Sequence, residues 1–398
     1  MGDGLSPAPG ADSADPSGER EAGDGRERRL LVVAGEASGD AHAARLVRAL
    51  RASGRWRVRA VAGPELRAAG AETVLPQEDL AVIGFSGVVA KLPLLLRARR
   101  TLLAEFASFR PDAVALVDYP GFNLRLGPEL KRRGARVFYY IAPQVWAWHA
   151  ERARAMARWV DRLAVVFPFE EPLFRDAGVH ATFVGHPLLD DLAPETDDTA
   201  FRAELGIPAG ARILGLLPGS RPGELAAHAA VLLEAAARVA AARAGVVPVL
   251  ALADGLTPDA VPAALRSAAK IVRGRTHCVE AYATCCAVAS GTATLETALF
   301  GTPLAIVYRV GWLNHAIARR VVKLSHIGLP NIVAGAEVAP ELLQDKLDAG
   351  RLARLLGDWL DDAPGLERRR AALAVVRERL GGPGASRRAA DLLRELAA

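Results

Sequence analysis

Val288-Ala289-Ser290-Gly291-Thr292-Ala293-Thr294-Leu295-Glu296, continued by Thr297-Ala298-Leu299-Phe300-Gly301-Thr302-Pro303, is the stretch on which the fold turns. It reads as the end of a strand, a turn of small residues, and a helix stopped at Gly301-Thr302-Pro303. Small residues let a ligand approach the backbone, and the free N–H groups of a helix start suit a phosphate. Ser290, Gly291 and Thr292 are thus candidate ligand contacts. Glu296 falls within the first or second helical turn, where its carboxylate can accept hydrogen bonds from a ribose. The apolar run Leu304-Ala305-Ile306-Val307-Tyr308 gives the next strand of a parallel sheet. An ordinary βαβ turn with a capped helix has the same signature, so the rest of the chain has to discriminate.

Upstream, the same grammar opens the second half. Ile213-Leu214-Gly215-Leu216-Leu217 is a strand, Pro218-Gly219-Ser220-Arg221 a loop, and Glu224 opens an Ala-rich helix to about Ala242. Arg221, with Ser220 beside it, can reach a diphosphate with its planar fork, or it can form an interdomain salt bridge. Strands at Val246–Leu252, Lys270–Val272 and Cys285–Ala289 lead back to the opening stretch.

The first half starts from a buried strand, Arg29-Leu30-Leu31-Val32-Val33-Ala34, followed by Gly35-Glu36-Ala37-Ser38-Gly39-Asp40 and a helix to about Leu50. The glycines do not match Gly-x-Gly-x-x-Gly, which weakens a dinucleotide reading. Glu36, Ser38 and His42 lie at the carboxyl end of the strand, where open α/β sheets bind ligands; Ser38 and Asp40 are equally capping residues. Val58–Val61 is a second strand. Asp112–Val117 is another, with Asp118 at its end as a candidate base or a loop cap, and Tyr119-Pro120-Gly121-Phe122-Asn123 after it. Val137–Ile141 leads into Gln144-Val145-Trp146-Ala147-Trp148-His149, whose tryptophans suit either stacking on a sugar or plugging a hinge. Between Val82 and Leu96 the chain is apolar beyond the need of one helix face, and Arg97, Arg99 and Arg100 follow. That is the face of a monotopic enzyme toward anionic lipid, or a core helix with an Arg-rich solvent side.

Length favours two domains: 398 residues exceed one ordinary core. The expected division is a disordered tail over 1–28, an N-terminal Rossmann-like domain over 29–195, a C-terminal one over 196–350, and terminal helices over 351–398. The acidic stretch Asp191–Thr199 marks the boundary. The net charge of +5 suggests an anionic partner. No basic helix or aromatic-interleaved basic stripe appears, so nucleic acid is not expected. Cys278, Cys285 and Cys286 form no disulfide framework, which implies a reducing compartment. No stretch approaches 18 continuous apolar residues, so no membrane span is expected. The eight histidines show no ligand spacing, and the chain lacks any Asp-x-Asp tripeptide, so neither a metal nor another cofactor is expected.

In combination these motifs resemble the lipid-A-disaccharide synthase family. The residues that carry the likeness are Val-Ala-Gly-Glu-Ala-Ser-Gly-Asp at 33–40, Gln-Val-Trp-Ala-Trp at 144–148, Phe-Pro-Phe-Glu at 167–170 and Val-Gly-His-Pro-Leu at 184–188. Leu-Pro-Gly-Ser-Arg at 217–221, Ala-Ser-Gly-Thr-Ala-Thr-Leu-Glu at 289–296, Leu-Pro-Asn-Ile-Val-Ala-Gly at 329–335 and Glu-Leu-Leu-Gln-Asp at 341–345 follow in family order. Ala41-His42-Ala43 and Pro222 depart from the pattern, the first near the acceptor and the second near the phosphates. The resemblance implies an α/β fold of GT-B type, two Rossmann-like domains facing a central cleft with C-terminal helices. It implies inverting transfer from UDP-2,3-diacylglucosamine to 2,3-diacylglucosamine 1-phosphate (lipid X) in the lipid A biosynthesis of Gram-negative bacteria. It also implies peripheral attachment to the cytoplasmic face of the inner membrane, and terminal helices that either cross back or exchange within a homodimer. Asp118, Arg221 and Glu36 become catalytic candidates. Ser38, His42, Asn123, Gln144, Trp146, Ser220, Ser290, Gly291, Thr292, Glu296, Asn331 and Gln344 become substrate contacts. A non-hydrolysing UDP-sugar epimerase, a GT-B transferase with an undecaprenyl acceptor, and a non-catalytic nucleotide-sugar sensor are the competing readings. Val-Trp-Ala-Trp and Leu-Pro-Asn-Ile-Val argue against the first two, and intact Glu36, Asp118 and Arg221 against the third.

Overall fold

A buried strand that ends in a loop and a helix is the unit from which both halves are built. The computed structural model describes residues 26–81, 88–143, 150–309 and 326–398. Gln144 and Trp146, the Val82–Gly87 part of the apolar ridge and residues 1–25 of the tail lie outside the described residues. The first strand already begins at Arg28.

Two all-parallel sheets result. The first contains β1 Arg28–Ala34, β2 Trp56–Ala62, β3 Glu72–Pro76, β4 Ala113–Val117, β5 Val137–Tyr140, β6 Arg162–Val165 and β7 Ala181–Phe183, in the order 3-2-1-4-5-6-7. The second contains β8 Arg212–Leu217, β9 Val246–Leu252, β10 Lys270–Arg273, β11 Cys285–Ala289, β12 Leu304–Tyr308 and β13 Glu341–Leu343, in the order 10-9-8-11-12-13. Strands covered on both faces read as unbroken apolar runs, and β4 and β11 are buried at every residue.

Strand order reverses between β1 and β4, and again between β8 and β11. Loops diverge at such a switch point and leave a crevice at the carboxyl ends of the strands. Register then decides which residues meet there. Ala34 pairs with Val117, so Gly35-Glu36 lies beside Asp118. Leu217 pairs with Val288, so the Pro218–Arg221 loop lies beside Ser290–Thr292.

The three terminal helices join the halves. Ala349–Asp361 packs on the helix Pro222–Ala242, and Ala363–Leu380 packs on Thr292–Leu299 and Leu329–Ala334. Ala385–Leu396 then returns to the first half and packs on the helix Ala37–Ala52 and on β4, β5 and β6. Its start is held by Asp190, which accepts from the N–H groups of Gly384, Ala385 and Ser386 at 2.6, 3.1 and 3.1 Å. Arg388 Nε donates to the Val184 carbonyl at 2.7 Å.

Among the described residues one helix, Pro222–Ala242, is long and apolar enough to cross a membrane, although no single apolar run in the sequence suggested it. Half of it is buried within the fold, against β9 and the helix Ala349–Asp361.

Candidate active site

At the β8/β11 switch point a cavity of about 310 Å³ opens between the two loops. Gly219, Ser220, Arg221 and Glu224 line one wall, and Ser290, Gly291, Thr292 and Glu296 the other. Glu224 shapes the first loop. Its Oε2 accepts from the N–H groups of Ser220 and Arg221 at 2.9 and 3.2 Å, and its Oε1 from the Arg221 guanidinium at 3.0 Å. Gly219 has φ +111, and a Cβ there would stand 2.5 Å from Glu224 Oε2, so only glycine turns the chain tightly enough for this clamp. Arg221 is 79 % exposed and directed to solvent at the cavity rim. His228, fully buried, holds the loop from behind: Nδ1–H donates to Pro218 O at 2.9 Å, and Nε2 accepts from Arg309 N at 2.9 Å. Burial lowers the His228 pKa and keeps the ring neutral, as this donor–acceptor pair requires.

Across the cavity, Gly291 precedes the helix Thr292–Leu299, and no side chain caps the helix start. A Cβ at Gly291 would meet nothing within 4 Å, so the approach to these N–H groups is open. Thr294, buried, donates its hydroxyl to Gly291 O at 2.7 Å and fixes the turn. Ser290 Oγ donates to Ile327 O at 3.4 Å. Pro222 takes the first position of its own helix, where its missing N–H would have had no helical partner.

At the β1/β4 switch point the setting is drier. Asp118 and Tyr119 adopt left-handed backbone, φ +48 and +50. The Asp118 carbonyl accepts from Asn123 Nδ2 and from the Tyr139 hydroxyl, both at 2.8 Å, which holds the strained turn in place. A Cβ at Gly35 would lie 2.2 Å from the Tyr119 ring, so the β1 loop closes on the β4 loop only because that residue is glycine. Burial, and secondarily the nearby Glu36 charge, raise the Asp118 pKa to about 6. Glu36 and Ser38 are exposed beside it. His42 is half-buried near His186; burial lowers their pKa values to about 4 and about 3, and both rings are neutral at neutral pH.

Several sequence candidates turn out to hold the frame. Asn123 is buried with its amide N–H groups spent on Asp118 and Val117 carbonyls. Asn331 is buried and fully bonded: it donates to Ala339 O and Glu341 Oε1 and accepts from Val338 N and Ala339 N. Both side chains are buried, and the Oδ1 of Asn123 has no hydrogen-bond partner among the described residues. The Asp40 carboxylate caps a neighbouring helix instead of its own: it accepts from Gly63 and Glu65 N–H at the start of the helix Pro64–Ala68. Gln344 stands past β13 in left-handed backbone at φ +51, at the edge of the sheet rather than at the switch point.

Glu224, His228, His277 and Glu280 were not singled out from the sequence as site residues. Capping-box spacing before an apolar helix is the sequence signal for Glu224; His228 and His277 carry no such local signal. His277, Glu280 and Glu296 bring ligand-type atoms within 4.8 Å of one another. Glu280 is buried, neither of its oxygens has a hydrogen-bond partner, and burial holds its carboxyl neutral well above the usual carboxylate range. His277 Nδ1 is engaged by Ala193 O at 3.1 Å.

Two doubly wound parallel domains, with an open cavity at one switch point and a half-buried carboxyl at the other, have the architecture of a GT-B glycosyltransferase. The chain belongs to the lipid-A-disaccharide synthetase family, whose sequence pattern matches residues 30–364. It is 43 % identical over 373 residues to the lipid-A-disaccharide synthase of Geobacter metallireducens, covering 93 % of this chain and 97 % of that one. It is 39 % identical to the Myxococcus xanthus enzyme over 92 % and 97 % of the two chains. It is thus a hexosyltransferase of lipid A biosynthesis, a class that uses a UDP-sugar donor and a lipid acceptor. Among solved structures, the kitacinnamycin glycotransferase superposes with TM-score 0.63 at 18 % identity, covering 94 % of this chain and 100 % of that one. The Neisseria meningitidis UDP-GlcNAc 2-epimerase, solved with UDP-GlcNAc bound, gives 0.61 at 12 % identity over 92 % and 100 %. These two share the fold.

Proposed function

We propose that the enzyme transfers the sugar of UDP-2,3-diacylglucosamine to the 6-hydroxyl of 2,3-diacylglucosamine 1-phosphate with inversion, giving the β-1,6-linked disaccharide 1-phosphate and UDP. The observation that carries this reading is the pairing of Ala34 with Val117 and Leu217 with Val288, which gathers one set of acid–base groups and one set of anion donors at the two switch points. Residues 29–195 would bind acceptor and membrane, 196–350 the donor, and the helices of 351–398 fasten one half to the other.

Asp118, with its pKa near 6, is ionised at neutral pH yet poorly solvated, which suits a general base. It takes the proton of the acceptor hydroxyl as that oxygen attacks the anomeric carbon. The bond from that carbon to the diphosphate breaks, and the electron pair leaves with UDP. Arg221 and the N–H groups at the start of the helix Thr292–Leu299 offset the developing charge, and Glu296 accepts from the ribose. Glu36 modulates Asp118.

On the lipid side, Pro93–Arg100 of the helix Val88–Phe109 exposes Leu96, Arg97 and Arg100. A groove of about 600 Å³ runs from Pro120 along the next helix, floored by Leu124, Met156 and Trp159 and edged by Arg125, Arg132 and Arg158. Apolar floor and cationic rim suit an anionic amphiphile at the cytoplasmic face of the inner membrane.

Incubation with UDP-diacylglucosamine and lipid X tests the assignment. Acceptor-dependent UDP release and a β-linked disaccharide are expected. Epimerised donor, or UDP release indifferent to acceptor, would overturn it.

A further inference from the structure

Residues 192–197 link the two sheets, and this linker grips the donor half at the short helix Thr276–Tyr282. Glu195 accepts from the N–H groups of His277 and Cys278 at 3.1 and 2.9 Å, and Tyr282 donates its hydroxyl to Thr196 O at 2.7 Å. His277 extends that grip to the cavity. Its Nδ1 is 3.1 Å from Ala193 O; a carbonyl only accepts, so Nδ1 carries a proton. Its Nε2 faces Glu296, 3.9 Å from Oε1. In the neutral ring Nε2 would turn a lone pair toward that carboxylate. Only the imidazolium presents N–H to both partners. The Phe300 ring, 6.0 Å away, limits how far the imidazole swings.

We propose that His277 is a positioning residue: it holds the Glu296 carboxylate in place for the donor ribose and ties that carboxylate to the linker between the two halves. The inference rests on the reading of Glu296 as the ribose contact. A carboxylate already held costs less rotamer entropy when ligand binds, so the gain appears in donor affinity. The charged groups around His277 are Glu296 from the opposite helix, Glu195 from the linker and Glu280 from its own helix. Arg275 is paired with Glu204 of the helix Asp198–Leu205 at 3.1 Å. The Glu296 contact is the largest cause that raises the His277 pKa, against the effect of burial. Donor affinity is therefore highest while His277 is protonated and falls as pH rises through its titration.

UDP titrations of the full-length wild type, His277→Gln and Glu296→Ala between about pH 6 and pH 8.5 test this. The wild-type to His277→Gln affinity ratio should be about fivefold at the acid end and approach unity at the alkaline end. The titration of the ligand's own phosphate is common to both proteins and cancels in the ratio. The effect should fall on donor KM rather than kcat, and the His277 ring, followed by NMR, should titrate at lower pH in Glu296→Ala. A ratio independent of pH, or an unshifted ring titration, overturns the proposal. If Glu296→Ala weakens UDP while the ratio stays flat, the His277 inference alone fails. Wild-type UDP affinity in Glu296→Ala instead removes the ribose reading, and the inference with it.

Discussion

At the β1/β4 edge the chain presents a carboxyl in a dry, strained turn; at the β8/β11 edge it presents backbone N–H groups and an exposed guanidinium. The two edges share topology and register, so the difference is one of side chains and solvation. Asp118 is half-buried with its carbonyl tied to Asn123 and Tyr139, and burial raises its pKa to about 6. Arg221 is 79 % exposed on a loop that Glu224 shapes. In the proposed mechanism, desolvation at the first edge would tune a group for proton transfer, and openness at the second would admit a large anion. On that proposal one fold separates base chemistry from leaving-group stabilisation.

Removing the base should break the comparison most sharply. Asp118→Asn is expected to lower kcat by about 10²–10⁴ with near-normal UDP affinity. The wild-type rate should rise with pH through about 6, and the variant should lose that limb. Stability gives an independent check. The folded pKa lies above the unfolded one, so ionisation of Asp118 costs the folded state, and wild-type stability falls as pH rises from about 4 to about 6. Asp118→Asn should then equal or exceed the wild type at neutral pH, by up to about 1–3 kcal/mol in denaturant titrations. A variant of wild-type rate would transfer the base role to Glu36.

Arg221→Ala comes next, with kcat lower by about 10²–10³ and UDP binding weakened as well. Glu224 still holds Ser220 and Arg221 N–H in this variant, so the loss reports the charge and not the loop. Normal UDP affinity by calorimetry would confine Arg221 to the transition state.

Glu296→Ala should weaken UDP by about 1–3 kcal/mol, the value of hydrogen bonds to a charged group. Unchanged affinity would leave the donor edge as a phosphate cradle without a ribose reader.

The smallest effect belongs to the lipid side. Arg100→Gln should reduce sedimentation with anionic liposomes by about fivefold, close to 1 kcal/mol per surface charge. Equal sedimentation would make this face ordinary solvent surface. Val88 and Leu92, also in the apolar ridge, have side chains outside the described set.

Much of the fold was legible because central parallel strands are buried on both faces: the runs at 30–34, 113–117, 213–217 and 285–289 could hardly be anything else. β3 was not read from the sequence. As an edge strand it leaves Glu72, Thr73 and Pro76 exposed, so burial imprints no period on it. The candidate site is legible in the sequence wherever a residue type suggests a chemistry, as Glu296, Arg221 and Asp118 do, and the fold places these three at the two switch points. Asn331 sits in an equally distinctive motif, and its hydrogen bonds to Val338, Ala339 and Glu341 are visible only in the fold.

By itself the sequence determined the α/β class, the tandem repetition of strand, loop and helix, and the family. Those follow from local hydrophobic pattern and from residue types with few alternative uses. Tertiary structure alone decided that strand order reverses at β1/β4 and β8/β11, that the helix Ala385–Leu396 returns to the first half, and that His277 stands between Ala193 and Glu296. Each of these depends on contacts between residues far apart in the chain, set by strand pairing and by packing, which no local pattern encodes.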